Sequence, residues 1–181
     1  NLTRVNAVNQ VSRQAERGEI TLDGALRALQ AIEYSTLYTN KQILPAAGIS
    51  AAAWAIMFGG GIADFFIAFA TAVVVELLTQ WMTKRQVHGY MATLLCSFVS
   101  TILPQLVCHA LQTGSPEACI AGALMPLLPG LAMTNAIQDT MRGDIVSGVA
   151  HGMNAILSAG MIAGGTLCAS SLFHLLIGGL M

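Results

Sequence analysis

Beyond Lys41, only eight charged residues interrupt 140 residues of chain, and their spacing leaves five long stretches almost free of charge. Residues 42–63, 86–116, 118–138 and 145–181 carry none, and residues 65–83 carry only Glu76. A helix needs about 20 mostly apolar residues to cross a bilayer, so the pattern predicts five transmembrane helices. The whole chain is only 9% charged, against about 25% for an ordinary soluble domain. Its mean hydropathy of +0.66 agrees with a membrane protein. No basic face is present that would bind nucleic acid.

Residues 1–41 differ from the rest, with five of the eight Lys/Arg and four of the nine acids. Leu2, Val5, Val8 and Val11 recur at roughly helical spacing, and Gly18 stops that helix. Thr21 reads as an N-cap with Asp23 in the first turn. Leu22, Leu26, Leu29 and Ile32 form a second stripe. The segment is expected to be a cytoplasmic amphipathic hairpin, the end of a larger N-terminal region. Residues 42–181 then form the transmembrane domain. Its last stretch is longer than one span requires, and Gly164-Gly165 or Gly178-Gly179 could end or bend it.

Charge supplies the orientation. With five spans and the N-terminus inside, all eight Lys/Arg fall in inner segments: 1–41, the Lys84-Arg85 turn and the turn holding Asp139, Arg142 and Asp144. The outer loops and the C-terminal end have none, which is the asymmetry of the positive-inside rule. The N-terminus is therefore expected in the cytoplasm and the C-terminus of this chain on the far side.

Pro126 to Gly148, PLLPGLAMTNAIQDTMRGDIVSG, begins in an apolar run and ends among charges. Pro126 and Pro129 lack amide protons, so they should free the carbonyls of Gly122 and Met125. Gly130 should let another backbone approach. Asn135, Gln138 and Asp139 share one helix face. Pro129 lies ten residues before Asp139, about 15 Å at 1.5 Å per residue, which is half a bilayer core of about 30 Å. The fourth span is thus expected to break near the midplane, where transporters often bind substrate with half-helix N-termini facing anionic groups. A plain proline kink packed against neighbours would leave the same pattern.

Other polar residues lie within the predicted spans. Ser147, His151, Asn154 and Ser158 share a face of the fifth, with Gly148, Gly152 and Gly160 close by. Such stripes usually mean close helix packing, but His151 and Asn154 could face the Asn135–Asp139 side. Ser97, Thr101 and Gln105 on the third span could line the same cavity. Glu76 lies eight residues from Lys84, about 12 Å inside the boundary. A lone carboxylate there is a proton-coupling candidate, unless it is a paired group at a subunit contact. Asp64 fits the positive end of a helix dipole, and His109 an interfacial side chain. Cys108 and Cys119 flank one outer loop and could pair in an oxidising compartment, although two thiols across a short loop more often remain free. No metal-ligand spacing and no nucleophile–base pair is evident, so neither metal chemistry nor an enzyme is expected.

The run Leu127 to Gly148 resembles the signature of the threonine/serine exporter family: Pro-Gly, then Asn-Ala, an Asp, a Gly and a further Gly. Gly18-Glu-Ile-Thr-Leu-Asp-Gly-Ala25 and the leucine stripe after it are similar to the family's helix before the first span. The chain looks closest to the larger, YjjP-like component of two-component exporters, whose small YjjB-like membrane subunit supplies further spans. The resemblance implies export of small metabolites across a bacterial inner membrane, threonine and serine by name and succinate for the two-component type, with no cofactor. It carries Pro129, Gly130, Asn135, Ala136, Asp139 and Gly143 onto this chain.

The sequence therefore suggests an all-α polytopic exporter subunit. A substrate carboxylate would sit against free amides near Gly130 to Met133, and Pro129, Gly130, Thr134, Asn135 and Asn154 would form the binding site. Asp139, Glu76 and His151 would be the proton-coupling candidates. The alternative is an assembly subunit that self-associates or packs on a partner holding the substrate site.

Overall fold

The computed structural model describes residues 2–34 and 40–178, which are helical with short connections and contain no strand. The chain divides into two compact units between Asn40 and Lys41.

The first unit holds α1 (Leu2–Glu16) and α2 (Leu22–Tyr34). Gly18 reverses the chain at φ +71°, a conformation that only glycine adopts freely. The hydroxyl of Thr21 accepts the Gly24 amide at 3.3 Å, so Thr21 caps α2 as its sequence suggests. Val11 and Ala25 are buried, while Leu22 and Leu26 stay exposed. The apolar stripe of α2 is therefore not covered within this unit.

The second unit contains α3 (Asn40–Met57), α4 (Ile62–Lys84), α5 (Gly89–Leu111), α6 (Pro116–Leu124), a 3-10 turn (Met125–Leu127), α7 (Gly130–Met141) and α8 (Ile145–Gly178). Three helices, α4, α5 and α8, are long and apolar enough to cross a membrane. The bent pair α6–α7 makes a fourth candidate. The first predicted span, α3, is shorter than expected: it has 18 residues, takes in Lys41 and Gln42, and ends where Gly59, at φ +87°, turns the chain.

Glycines set the packing. A Cβ at Gly122 would lie 2.5 Å from the Ala51 carbonyl, so α6 rides directly on α3. One at Gly165 would overlap Ser97 Oγ and the Leu94 carbonyl, which brings α8 against α5. Gly164-Gly165 thus neither ends nor interrupts α8, whose 34 residues extend about 51 Å. Gly179 lies outside the described residues.

The face Ser97, Thr101, Gln105 meets α8. Ser97 Oγ donates to the Leu94 carbonyl (2.9 Å) and lies 3.4 Å from the Met161 carbonyl of α8; Thr101 Oγ1 donates to the Ser97 carbonyl (2.9 Å) and lies 3.3 Å from Thr166 Oγ1; Gln105 Nε2 donates to Ser170 Oγ (3.3 Å). Ser97 and Thr101 are fully buried. The hydroxyls are satisfied first by carbonyls of their own helix, and their remaining polar contacts reach α8, as small polar residues do at close helix contacts. On the other side, Val75, Met82 and Cys96 form an apolar cluster of α4 and α5 on which Leu127 packs. This contact anchors the chain one residue before the α6–α7 break.

Candidate functional site

The break begins with Pro126, whose missing amide suits the first turn of the 3-10 segment. Leu128 is extended (φ −63°, ψ 135°) and Pro129 has φ −80°, ψ 54°. The Gly130 amide reaches back to the Leu128 carbonyl at 2.8 Å, an inverse γ-turn centred on Pro129. The axes of α6 and α7 differ by 53°. The predicted break is therefore a real discontinuity.

Its hydrogen bonding differs in detail from expectation. The Met125 carbonyl is not free, since the Leu128 amide bonds it at 3.3 Å. Gly130 takes the Leu128 carbonyl and Met133 the Pro129 carbonyl (3.1 Å). Leu131 and Ala132 are left with amides that have no partner among the described residues. Beyond its chain neighbours and its own helix backbone, no atom lies within 4 Å of a Cβ built on Gly130. This glycine faces open space, and no other backbone approaches it as the sequence suggested. Two unpaired amides thus stand at the N-terminus of α7 beside open space.

Down α7, Thr134 Oγ1 donates to the Gly130 carbonyl at 2.9 Å, so its proton is committed within its own helix and only its lone pairs remain. Asn135 is exposed. Asp139 is partly buried, and its Oδ2 lies 3.6 Å from Nε2 of His151 on α8. The two coupling candidates that the chain separates by twelve residues are thus brought together.

The approach has a structural cause. A Cβ on Gly148 would overlap Thr140 Oγ1 and lie 3.1 Å from the Ala136 carbonyl, and one on Gly152 would touch Ala136 Cβ at 3.8 Å. Alanine, threonine and two glycines let α7 and α8 meet closely, which brings Asp139 to His151. At the start of α8, Asp144 caps the helix: Oδ1 accepts the Ser147 amide (3.1 Å) and Oδ2 the Ser147 hydroxyl (2.8 Å). These bonds hold the exposed Asp144 carboxyl below its ordinary range.

Two candidates lie elsewhere. Asn154 does not face α7; its Oδ1 accepts the Tyr90 hydroxyl of α5 at 2.9 Å. Tyr90 was missed because it stands at the head of an apolar stretch, 64 residues from its partner. Glu76 accepts Gln80 Nε2 at 3.0 Å and is not paired with Asp139 or His151. Of the candidates, Pro129, Gly130, Thr134, Asn135 and Asp139 follow one another along α7, and only Asp139 and His151 are brought together from two helices.

Residues 1–173 match the family described as "Putative threonine/serine exporter". The chain is 26% identical over 186 residues to a threonine/serine exporter of Corynebacterium glutamicum, covering 98% of this chain and 38% of that protein. It is 26% identical over 105 residues to the "Probable succinate transporter subunit YjjP" of Klebsiella aerogenes, and 25% identical over the same length to its Escherichia coli K12 counterpart. Each of those alignments covers 58% of this chain and 41% of the relative. The chain thus spans about two fifths of the length of these curated relatives. No solved structure matches it.

Proposed function

The chain belongs to the threonine/serine exporter family, a family of transporters and not of enzymes, and on that premise we propose that it is a subunit of a secondary exporter for small carboxylate-bearing metabolites. It is a multi-pass membrane protein. The substrate is an amino acid such as threonine or serine, or a dicarboxylate such as succinate. The observation that carries the reading is the discontinuity at Leu128–Pro129, which leaves the Leu131 and Ala132 amides unpaired. A carboxylate accepts from both amides at the positive end of α7. Asn135, one turn on, bonds the substrate's hydroxyl or second carboxylate.

Coupling runs through Asp139 and His151. Imidazole is the side chain that exchanges a proton in the neutral range, and an adjacent carboxylate holds that proton or releases it. Glu76 is a second coupling candidate on a separate helix. Asn154 with Tyr90 fixes α8 against α5.

The topology we assign has five spans, with α3 as the first and α6–α7 as the broken fourth. The N-terminal hairpin lies on the cytoplasmic side of a bacterial inner membrane, and the C-terminus of this chain is periplasmic. The positive-inside asymmetry of all eight Lys/Arg supports it.

Export from proteoliposomes tests the site. Gly130→Leu places a branched side chain in the open space beside the amides, and export should fall about tenfold or more with the protein still folded in the bilayer. Unchanged export by that variant would remove the site.

A second reading has a specific observation behind it: Thr134, Asn135 and Gln138 are exposed in the single chain. A second copy, or a small YjjB-like subunit, would then complete or hold the substrate site. Reconstitution of this chain alone separates the readings, because export without a partner excludes the second.

A further inference from the structure

Apart from the proposed transport site, α4, α5 and α6 meet at a corner built on Asp64, Cys108 and Cys119. These residues are 3%, 5% and 0% exposed. One carboxylate oxygen and the two sulfurs all lie within 4.8 Å of one another, and both cysteines are free thiols. Asp64 Oδ1 accepts the Ser115 amide (2.7 Å) and the Cys119 thiol (3.3 Å), and Oδ2 accepts the Gly61 amide (2.7 Å).

No Lys or Arg pairs with Asp64 among the described residues, and none occurs in residues 42–83 or 86–141. A buried carboxylate without a cation is held here by two amide dipoles and a thiol, although burial favours a positive partner. Gly114 (φ +87°) closes over the group. A Cβ there would lie 2.5 Å from Asp64 Oδ1 and 3.3 Å from Cys108 Sγ, so a side chain would occupy the space between oxygen and sulfur.

We infer that Asp64, Cys108 and Cys119 form a binding site for a thiophilic divalent cation of the zinc class. One hard oxygen and two soft sulfurs at this spacing are the donor set that borderline-soft ions take in tetrahedral sites. On binding, two sulfur–metal bonds and one oxygen–metal bond form, and the two thiol protons leave to solvent. The charge is conserved, because a dication replaces two protons. The Cys119 thiol no longer donates to Asp64 Oδ1, which turns that lone pair to the ion. Water takes the fourth position. The ion ties the start of α4 to the end of α5 and the start of α6, the first half of the broken pair.

Cadmium titration of the purified full chain, kept reduced with a phosphine, is the test. Thiolate-to-cadmium charge transfer should appear in the ultraviolet and saturate at one ion per chain. Cys108→Ser/Cys119→Ser should abolish the band, Asp64→Asn should weaken binding about 10- to 100-fold, and Cys96→Ser/Cys168→Ser should change nothing. Should Asp64→Asn fail to fold, the wild-type cobalt spectrum replaces it, with an intense tetrahedral pattern expected and a weak octahedral one counting against the site. Absence of the cadmium band with all four thiols titrating as free overturns the inference. So does its persistence in the double serine variant, or recovery of Cys108 and Cys119 as a disulfide that the phosphine does not open.

Discussion

Nε2 of His151 on α8 stands 3.6 Å from Oδ2 of Asp139 on α7, across the seam that Gly148 allows to close. The pair is charged only when the imidazole is protonated, so it is a place where a proton can be held or passed on. Its side chains are 44% and 25% exposed. Screened to this degree, the pair contributes at most about 1 kcal/mol to folding. Asp139→Asn and His151→Gln should therefore leave the protein folded and flatten the pH dependence of export. If the two act as one unit, the double variant should lose no more than either single variant. Efflux from proteoliposomes across a pH series measures this, and full pH dependence in both single variants would count against coupling through the pair.

Gly148 should be sensitive out of proportion to its size. A methyl group there meets the Thr140 hydroxyl and the Ala136 carbonyl, so Gly148→Ala should push α8 from α7 and cost about 1–3 kcal/mol. Thr140→Ala removes one of the two obstacles, and combining it with Gly148→Ala should recover part of the loss. Thermal melts of the four proteins in one detergent measure the coupling. Additive losses would show that the seam has slack.

The small-residue stripe on α8 and the acid on α7 were both legible in the sequence, and so was the break at Pro129, because proline and charge act locally. The partners were not. The choice of His151 over Asn154 as the neighbour of Asp139 depends on the rotation of α8, which the Gly165–Ser97 contact and the Ser97, Thr101 and Gln105 hydrogen bonds fix from α5. The same face read as the lining of a polar cavity, since helical spacing does not distinguish hydroxyls that meet water from hydroxyls that meet another helix. The approach of Asp64 to Cys119 joins residues 55 apart, and no motif spacing reports it. At α3 a charge-free stretch gave no sign that its helix would stop at Met57.

Acid should weaken the α7–α8 connection through Asp144. Its folded carboxyl titrates below the ordinary range because it accepts the Ser147 amide and hydroxyl. A depressed folded value adds stability above the unfolded carboxylate pKa of about 3.9, and that stability is lost as pH falls through the folded value. Asp144→Asn retains a capping oxygen and should melt with less dependence on pH below 4, whereas Asp144→Ala should melt lower at neutral pH as well. Identical acid profiles for wild type and Asp144→Asn would show that the ionised carboxylate adds nothing to the cap.

Tyr90 and Asn154 offer a test of what rigidity α8 requires. Tyr90→Phe removes only the hydroxyl donated to Asn154 Oδ1, which should cost about 0.5–1.5 kcal/mol. Asn154→Ala should match it in stability if Asn154 serves only as the acceptor. If Asn154 also touches substrate, Asn154→Ala should raise the substrate concentration needed for half-maximal export while Tyr90→Phe leaves it unchanged. Melts and export kinetics on the two variants decide between a brace and a ligand.

The two prolines should not be equivalent. Pro126 sits at the start of the 3-10 turn, where an amide is dispensable, so Pro126→Ala should be tolerated with export near wild type. Pro129 is the centre of the turn that sends the Gly130 amide to Leu128. Its ring also disfavours helical backbone at Leu128, which is extended. Alanine at 129 regains an amide that can take the Met125 carbonyl, and Leu128 can then become helical. As α6 and α7 become continuous, the Leu131 and Ala132 amides acquire carbonyls of their own and are lost to substrate. Pro129→Ala should therefore match or exceed wild type in thermal stability and export at a rate about tenfold lower or less. A variant that is equally stable and equally active would mean that the break persists without its proline, held by the packing of Leu127 on Val75, Met82 and Cys96. Leu127→Ala in that background would then be the change that closes it.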